Sequence, residues 1–171
     1  MMMGGLMQPT DDTLRLVWEG VLDADRLARY YGYLAVRLRR IGRGLGSSVV
    51  GLHLAAALTM AGPFPGWVPA AAVTAGAAAV VAYTCGRFEE LAARAVGLHA
   101  GMERISVDWQ LLWSDARARD DAELRAAWRE LSLRQKELLA RTPLEVPLAQ
   151  GLAGRSQREA CEYWTERHAS A

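Results

Sequence analysis

GLGSSVVGLHLAAALTMAGPFPGWVPAAAVTAGAAAVVAYTCG, residues 44–86, contains no Asp, Glu, Lys or Arg. These 43 residues divide at Gly62-Pro63-Phe64-Pro65-Gly66 into two apolar pieces. Pro63 and Pro65 lack backbone donors and stop the first piece, whereas Pro69 fits the opening turn of the second, where amide donors are unpaired anyway. Leu45 to Ala61 and Trp67 to Thr84 correspond to about 26 and 27 Å of helix, close to a hydrocarbon layer of roughly 30 Å. Ser47, Ser48, His53 and Thr59 interrupt the first piece, and the second is mostly Ala with Thr74 and Gly76. Pieces this weakly apolar are expected to enter a bilayer jointly, as a hairpin. The competing reading is a buried helix pair in a water-soluble protein.

The flanks of this stretch hold all 20 basic and 19 acidic residues. With a net charge of +1, the chain is not expected to bind nucleic acid generally. Arg26, Arg29, Arg37, Arg39, Arg40 and Arg43 precede the first piece, Arg87 and Arg94 follow the second, and the turn between them has no cation. Basic flanks stay on the cytoplasmic side, so both termini are expected in the cytoplasm, with Phe64 and Trp67 at the far interface and Tyr83 at the near one. Arg37, Arg39, Arg40 and Arg43 form a membrane-surface basic cluster that either sets this topology or meets anionic lipid heads. Gly42-Arg43-Gly44-Leu45-Gly46 lacks the lysine and the strand context of a phosphate loop.

Small residues recur at i+4: Ser47, Gly51, Ala55 and Thr59 in the first piece, Thr74, Ala78 and Ala82 in the second. Such stripes permit close helix contact in lipid. They serve packing within the hairpin, contact between subunits, or the lining of a pore. His53, the one ionisable group near the middle of the first piece, lines a pore or senses pH in one reading and is a neutral packing imidazole in the other.

Beyond the hairpin the pattern is helical. Leu14, Val17, Val21, Ala24, Ala28, Tyr31, Ala35 and Leu38 alternate at three and four, as do Phe88, Leu91, Ala95, Leu98, Met102, Ile105, Trp109, Leu112 and Ala116, which predicts two helices seamed together antiparallel. No proline occurs between Pro69 and Pro143, so the second span is expected to continue through residues 87–117 as one rod. Gly86, Gly97 and Gly101 weaken it or mark a bend or close crossing. A third helix, Asp121 to Arg141, is capped by Asp120 with Glu123 three residues on, buries Leu124, Trp128, Leu131 and Leu138, and ends at Thr142-Pro143. Pro147 precedes a tail helix, roughly Leu148 to His168, anchored by Tyr163 and Trp164. Trp109, Trp113 and Trp128 fall at core spacing. Glu90 with Arg94 and Glu130 with Arg134 are ordinary surface pairs.

No catalytic constellation is legible, and no enzyme activity, metal or cofactor is expected. His99 is isolated, and Glu162, Glu166 and His168 offer weak ligands without a second cluster. Cys85 and Cys161 read as reduced structural thiols. The start, Met1-Met2-Met3-Gly4-Gly5-Leu6-Met7, lacks the basic and apolar regions of a secretory signal.

Arg29-Tyr30-Tyr31-Gly32-Tyr33 through Arg37-Leu38-Arg39-Arg40-Ile41, then the hairpin, then Phe88-Glu89-Glu90-Leu91-Ala92 opening a long seam helix, resembles the SLATT domains over roughly residues 26–143. These are two-span effectors of bacterial nucleotide-signalling and conflict systems. The resemblance implies a homo-oligomeric effector that perforates or disturbs the bacterial inner membrane, often in anti-phage defence, under an upstream nucleotide-sensing or nucleotide-synthesising protein. It brings no catalytic residues. The rival expectation is a membrane-tethered scaffold or sensor that docks a soluble partner.

The expected fold is thus all-α: a transmembrane hairpin (44–86) continued into a cytoplasmic antiparallel helical bundle or coiled coil. A disordered N-terminus (1–10) and an amphipathic helix (11–43) precede the hairpin. A helical hairpin (87–142) and a tail helix (143–171) follow. Membrane lipid and further copies of the chain are the expected partners.

Overall fold

The computed structural model describes residues 9–141 and 150–169, and no strand occurs among them. The order is α1 (Asp11–Ala61), α2 (Trp67–Gly86), α3 (Phe88–Asp115), a 3-10 turn (Ala116–Ala118), α4 (Asp121–Arg141) and α5 (Gln150–Ala169). The all-α expectation is met. The chain forms two compact units, a bundle from residues up to Leu34 and from Arg94 onward, and a hairpin unit, Ala35–Ala93. α1 and α3 each contribute to both.

In the bundle, α1 runs antiparallel to α3. His99 Nδ1 donates to the Ala28 carbonyl at 2.9 Å, and further along, Gly20 lies beneath the Trp109 indole. The seam anticipated from spacing is the core: Val17, Val21, Ala24 and Ala28 are buried with Leu98, Met102, Ile105, Trp109, Leu112 and Ala116. α4 contributes Leu124 and Leu131, and α5 contributes Trp164, whose ring meets Trp18 edge-on at 5.4 Å. Trp113 stacks obliquely on Trp18 at 5.1 Å. Trp128 and Leu138, expected in the core, are only half-buried, although Leu138 covers Gly101.

Apolar spacing missed Gln135, which is buried. Its Oε1 accepts from Trp109 Nε1 at 3.1 Å and its Nε2 donates to Asp23 at 2.9 Å. Arg26 in turn donates to Asp23 and, at 3.2 Å, to Gln157. One chain of hydrogen bonds therefore crosses α3, α4, α1 and α5. A buried amide with both ends satisfied adds geometric definition that apolar contacts alone lack.

The helix starts are tied together as well. Thr10 Oγ1 accepts the Thr13 amide at 3.3 Å and caps α1, and Asp120 accepts the Glu123 amide at 2.7 Å and caps α4. The neighbouring Asp121 carboxylate accepts the Thr10 amide at 3.0 Å and the Thr13 hydroxyl at 2.7 Å. Thr10, the last residue of the segment expected to be disordered over residues 1–10, is thus anchored; residues 1–8 lie outside the described residues. So do the Thr142-Pro143 stop and Pro147.

The hairpin unit corrects the expectation of a single rod. α2 stops at Gly86, Arg87 takes left-handed φ 44° and ψ 36°, and α3 begins afresh at Phe88. That backbone costs a non-glycine residue roughly 1–2 kcal/mol. Phe88 folds back over Gly86, and the Arg87 guanidinium pairs with Glu90. The first arm has no such break: α1 runs 51 residues through Gly42, Gly44 and Gly46, joining the expected 11–43 helix to the first span.

Two outcomes follow for the bundle. A Cβ on Gly20 would stand 2.7 Å from two Trp109 ring carbons. The indole is 1% exposed and held by Gln135, so it cannot step aside freely. Gly20→Ala gains about 1 kcal/mol of helix propensity and incurs about 1–3 kcal/mol of overpacking; a net destabilisation on the order of 1 kcal/mol is expected in denaturant melts, and a net gain would contradict this packing.

Asp121 is held below the ordinary carboxyl range, first by the Thr10 amide and then by the Thr13 hydroxyl. A carboxylate so depressed stabilises the fold above its unfolded value of about pH 4 and loses that contribution as pH falls through the lower folded value. Asp121→Asn should be less stable at neutral pH, with a shallower acid limb below about pH 4, as read by circular dichroism. Superimposable acid limbs would exclude this role.

Candidate functional site

Two helices are long and apolar enough to cross a membrane, and each is only 6% buried over its most apolar 18 residues. Val50, Leu54, Leu58 and Met60 on α1 and Val73, Val80 and Val81 on α2 point away from the partner helix. A core pair of a water-soluble protein would shield these side chains instead.

The line that the two helices do share lies beside the expected stripes. Leu52, Ala56 and Thr59 on α1 and Ala72, Gly76 and Ala79 on α2 are the shielded positions in the middle of the hairpin. Gly76 is the tightest point, where an added Cβ would meet His53 Cε1 at 3.1 Å and Leu52 Cβ at 3.6 Å. Ser47, Gly51 and Ala55 are exposed, as are Thr74, Ala78 and Ala82, and only Thr59 of the first stripe is partly covered. Nothing comes within 4 Å of the position a Gly51 Cβ would take.

Most polar groups of the two apolar helices are satisfied locally. His53 Nδ1 donates to the Val49 carbonyl at 2.7 Å, a bond within its own helix, while its ring edge lies over Gly76. Ser48, Thr59, Thr74 and Thr84 each donate to the carbonyl four residues back at 2.9 Å. Back-bonding of this kind spends the hydroxyl proton inside the helix, so these side chains need no aqueous partner for it.

At the basic end of the hairpin unit lies a groove of about 510 Å³, lined by Arg39, Arg43, Ser47, Tyr83, Phe88 and Glu89 among others. Tyr83 donates its hydroxyl to Glu89 at 2.8 Å. Gly46 keeps the groove open, with the Tyr83 ring 4.0 Å from where its Cβ would be. Of the expected basic cluster, all four arginines are exposed, and Arg39 and Arg43 face this groove whereas Arg37 and Arg40 do not line it.

The bundle has a more open depression of about 710 Å³ beside Asp25, Arg29, His99, Glu103 and Arg104. Its polar side chains engage one another: Arg29 pairs with Asp25 at 3.0 Å, and His99 Nε2 lies 3.5 Å from Glu103. Glu162 and Glu166 are exposed, and among the described residues no three His, Cys, Asp or Glu side chains converge as a metal site. The side chain of His168 lies outside the described residues. Cys85 and Cys161, expected as structural thiols, are both exposed. Glu130 pairs with Arg134 at 2.5 Å as the i,i+4 spacing implies.

Compared with family models, curated proteins and solved structures, the chain matches none.

The two glycines of the hairpin separate packing within it from contact outside it. In full-length protein in detergent, Gly76→Leu should lower the hairpin's resistance to thermal or dodecyl-sulfate unfolding, by about 1–3 kcal/mol of overpacking. Gly51→Leu should leave it unchanged, and equal losses in both variants would show that the contact line is placed wrongly.

Proposed function

We propose that this protein is a membrane-embedded homo-oligomeric effector that perforates or disturbs the bilayer when an upstream partner triggers it. The observation that carries the reading is the hairpin's outward surface: apolar bulk suited to lipid, and a small-residue stripe through Gly51 left uncovered by the partner helix. In lipid, where apolar burial gives little drive for helix association, such stripes bring backbones close enough for dispersion and weak hydrogen bonds to hold helices together. The arginines on both sides of the hairpin and the cation-free turn support cytoplasmic termini in a bacterial inner membrane. The resemblance to SLATT domains supplies the setting, a conflict or anti-phage system with a nucleotide-sensing or nucleotide-synthesising partner.

A second reading, a membrane-tethered scaffold that docks a soluble partner, draws on a different surface. Val107 and Leu111, one turn apart on α3, and Leu133 on α4 are each more than half exposed in the bundle.

Controlled expression separates the two. An effector arrests growth and collapses membrane potential, and Gly51→Leu, which is compatible with the folded hairpin, abolishes the effect while the protein still inserts. Normal potential at high, membrane-inserted expression with the trigger present favours the scaffold, and recovery of the chain in the soluble fraction removes both.

A further inference from the structure

We propose that the groove at the basic end of the hairpin seats the phosphate of an anionic phospholipid, with Arg39 and Arg43 as its ligands. The inference rests on the membrane reading above and adds a specific molecular partner to it.

Arg39 and Arg43 stand four residues apart on α1, hence on one face, and both line the groove. Among the described residues neither is in an ion pair, whereas Arg29, Arg125, Arg134 and Arg141 on the bundle each hold a carboxylate. Two guanidiniums with open forks match the oxygens of a phosphate, which they can grip bidentately. Glu89 is the acid in the wall, and its carboxylate already accepts the Tyr83 hydroxyl.

The lining also changes character along its length. Arg39 and Arg43 come immediately before the uncharged stretch, and Gly46, Ser47, Tyr83 and Phe88 form the remainder of the wall. Beyond Ser47 the exposed Val50 and Leu54 continue the same face of α1 as an apolar track. A ligand that satisfies both halves is anionic at one end and hydrocarbon at the other. A volume of about 510 Å³ suits a headgroup rather than a point ion, and basic pockets between membrane helices are where anionic headgroups settle.

The test uses full-length protein in nonionic detergent, titrated with phosphatidylglycerol, with phosphatidylcholine of the same chains and with inorganic phosphate, binding being read by native mass spectrometry. Phosphatidylglycerol should bind on the order of tenfold more tightly than phosphatidylcholine, with Arg39→Gln and Arg43→Gln each weakening it about fivefold. Arg40→Gln removes an equal charge outside the groove and should change binding by less than about twofold. Ala93→Trp, which fills the groove from the exposed side of α3 with every charge kept, should erase the preference. Equal binding of the two lipids, an equal loss with Arg40→Gln, or saturation by inorganic phosphate alone each overturns the proposal. A chain that fractionates as soluble refutes the membrane reading itself; a helical, membrane-inserted chain without lipid preference refutes the lipid site alone.

Discussion

Trp109 has its place because residue 20 has no side chain. The indole is the largest fully buried group in the bundle, it rests on the bare backbone of α1, and its ring nitrogen fixes Gln135. From Gln135 the hydrogen bonds pass to Asp23, so one aromatic ring ties α3, α4 and α1 together, and Arg26 carries the chain on to Gln157 of α5 at the surface. Interiors packed at crystal-like density transmit such a constraint to their neighbours. The surface ion pairs are spectators by comparison, each contributing at most about 1 kcal/mol.

The hairpin obeys a different logic. Its helices touch along a narrow line centred on Gly76 and leave their larger aliphatic side chains outside. His53, Ser48, Thr59, Thr74 and Thr84 give their protons to carbonyls of the same helix. That arrangement suits a solvent that cannot supply hydrogen bonds, and it makes the outward face, rather than the contact line, the surface on which the proposed effector would depend.

Much of this was legible from residue order. A charge-free run broken by two prolines has few readings, and three-four alternation on two arms located the bundle seam almost residue by residue. Asp120 was recognisable as a cap because a short acceptor three residues before Glu123 meets an unpaired amide. What escaped did so for physical reasons. In α2 nearly every face is alanine, so hydrophobic contrast cannot choose the contact side, and the i+4 spacing points to Thr74 and Ala78 rather than to Gly76. Gln135 is polar at a core position, which a search for apolar periodicity discards. The residue order offers Gly86, Gly97 and Gly101 as weak points of the second arm, yet the left-handed residue is Arg87, a side chain that does not advertise that conformation. The groove joins residues some forty positions apart, and only the fold brings Arg43 to Glu89.

The pairing of Gly20 with Trp109 also bears on ancestry. A site that admits no Cβ, facing a ring that needs a buried acceptor, restricts what evolution can write at three distant positions at once: glycine at 20, a flat aromatic at 109, an amide at 135. This trio forms a compact signature, since each member is fixed by contact with another. Kinship for this protein is then better sought in those three positions read together than in its two apolar helices, since α2 is alanine on nearly every face.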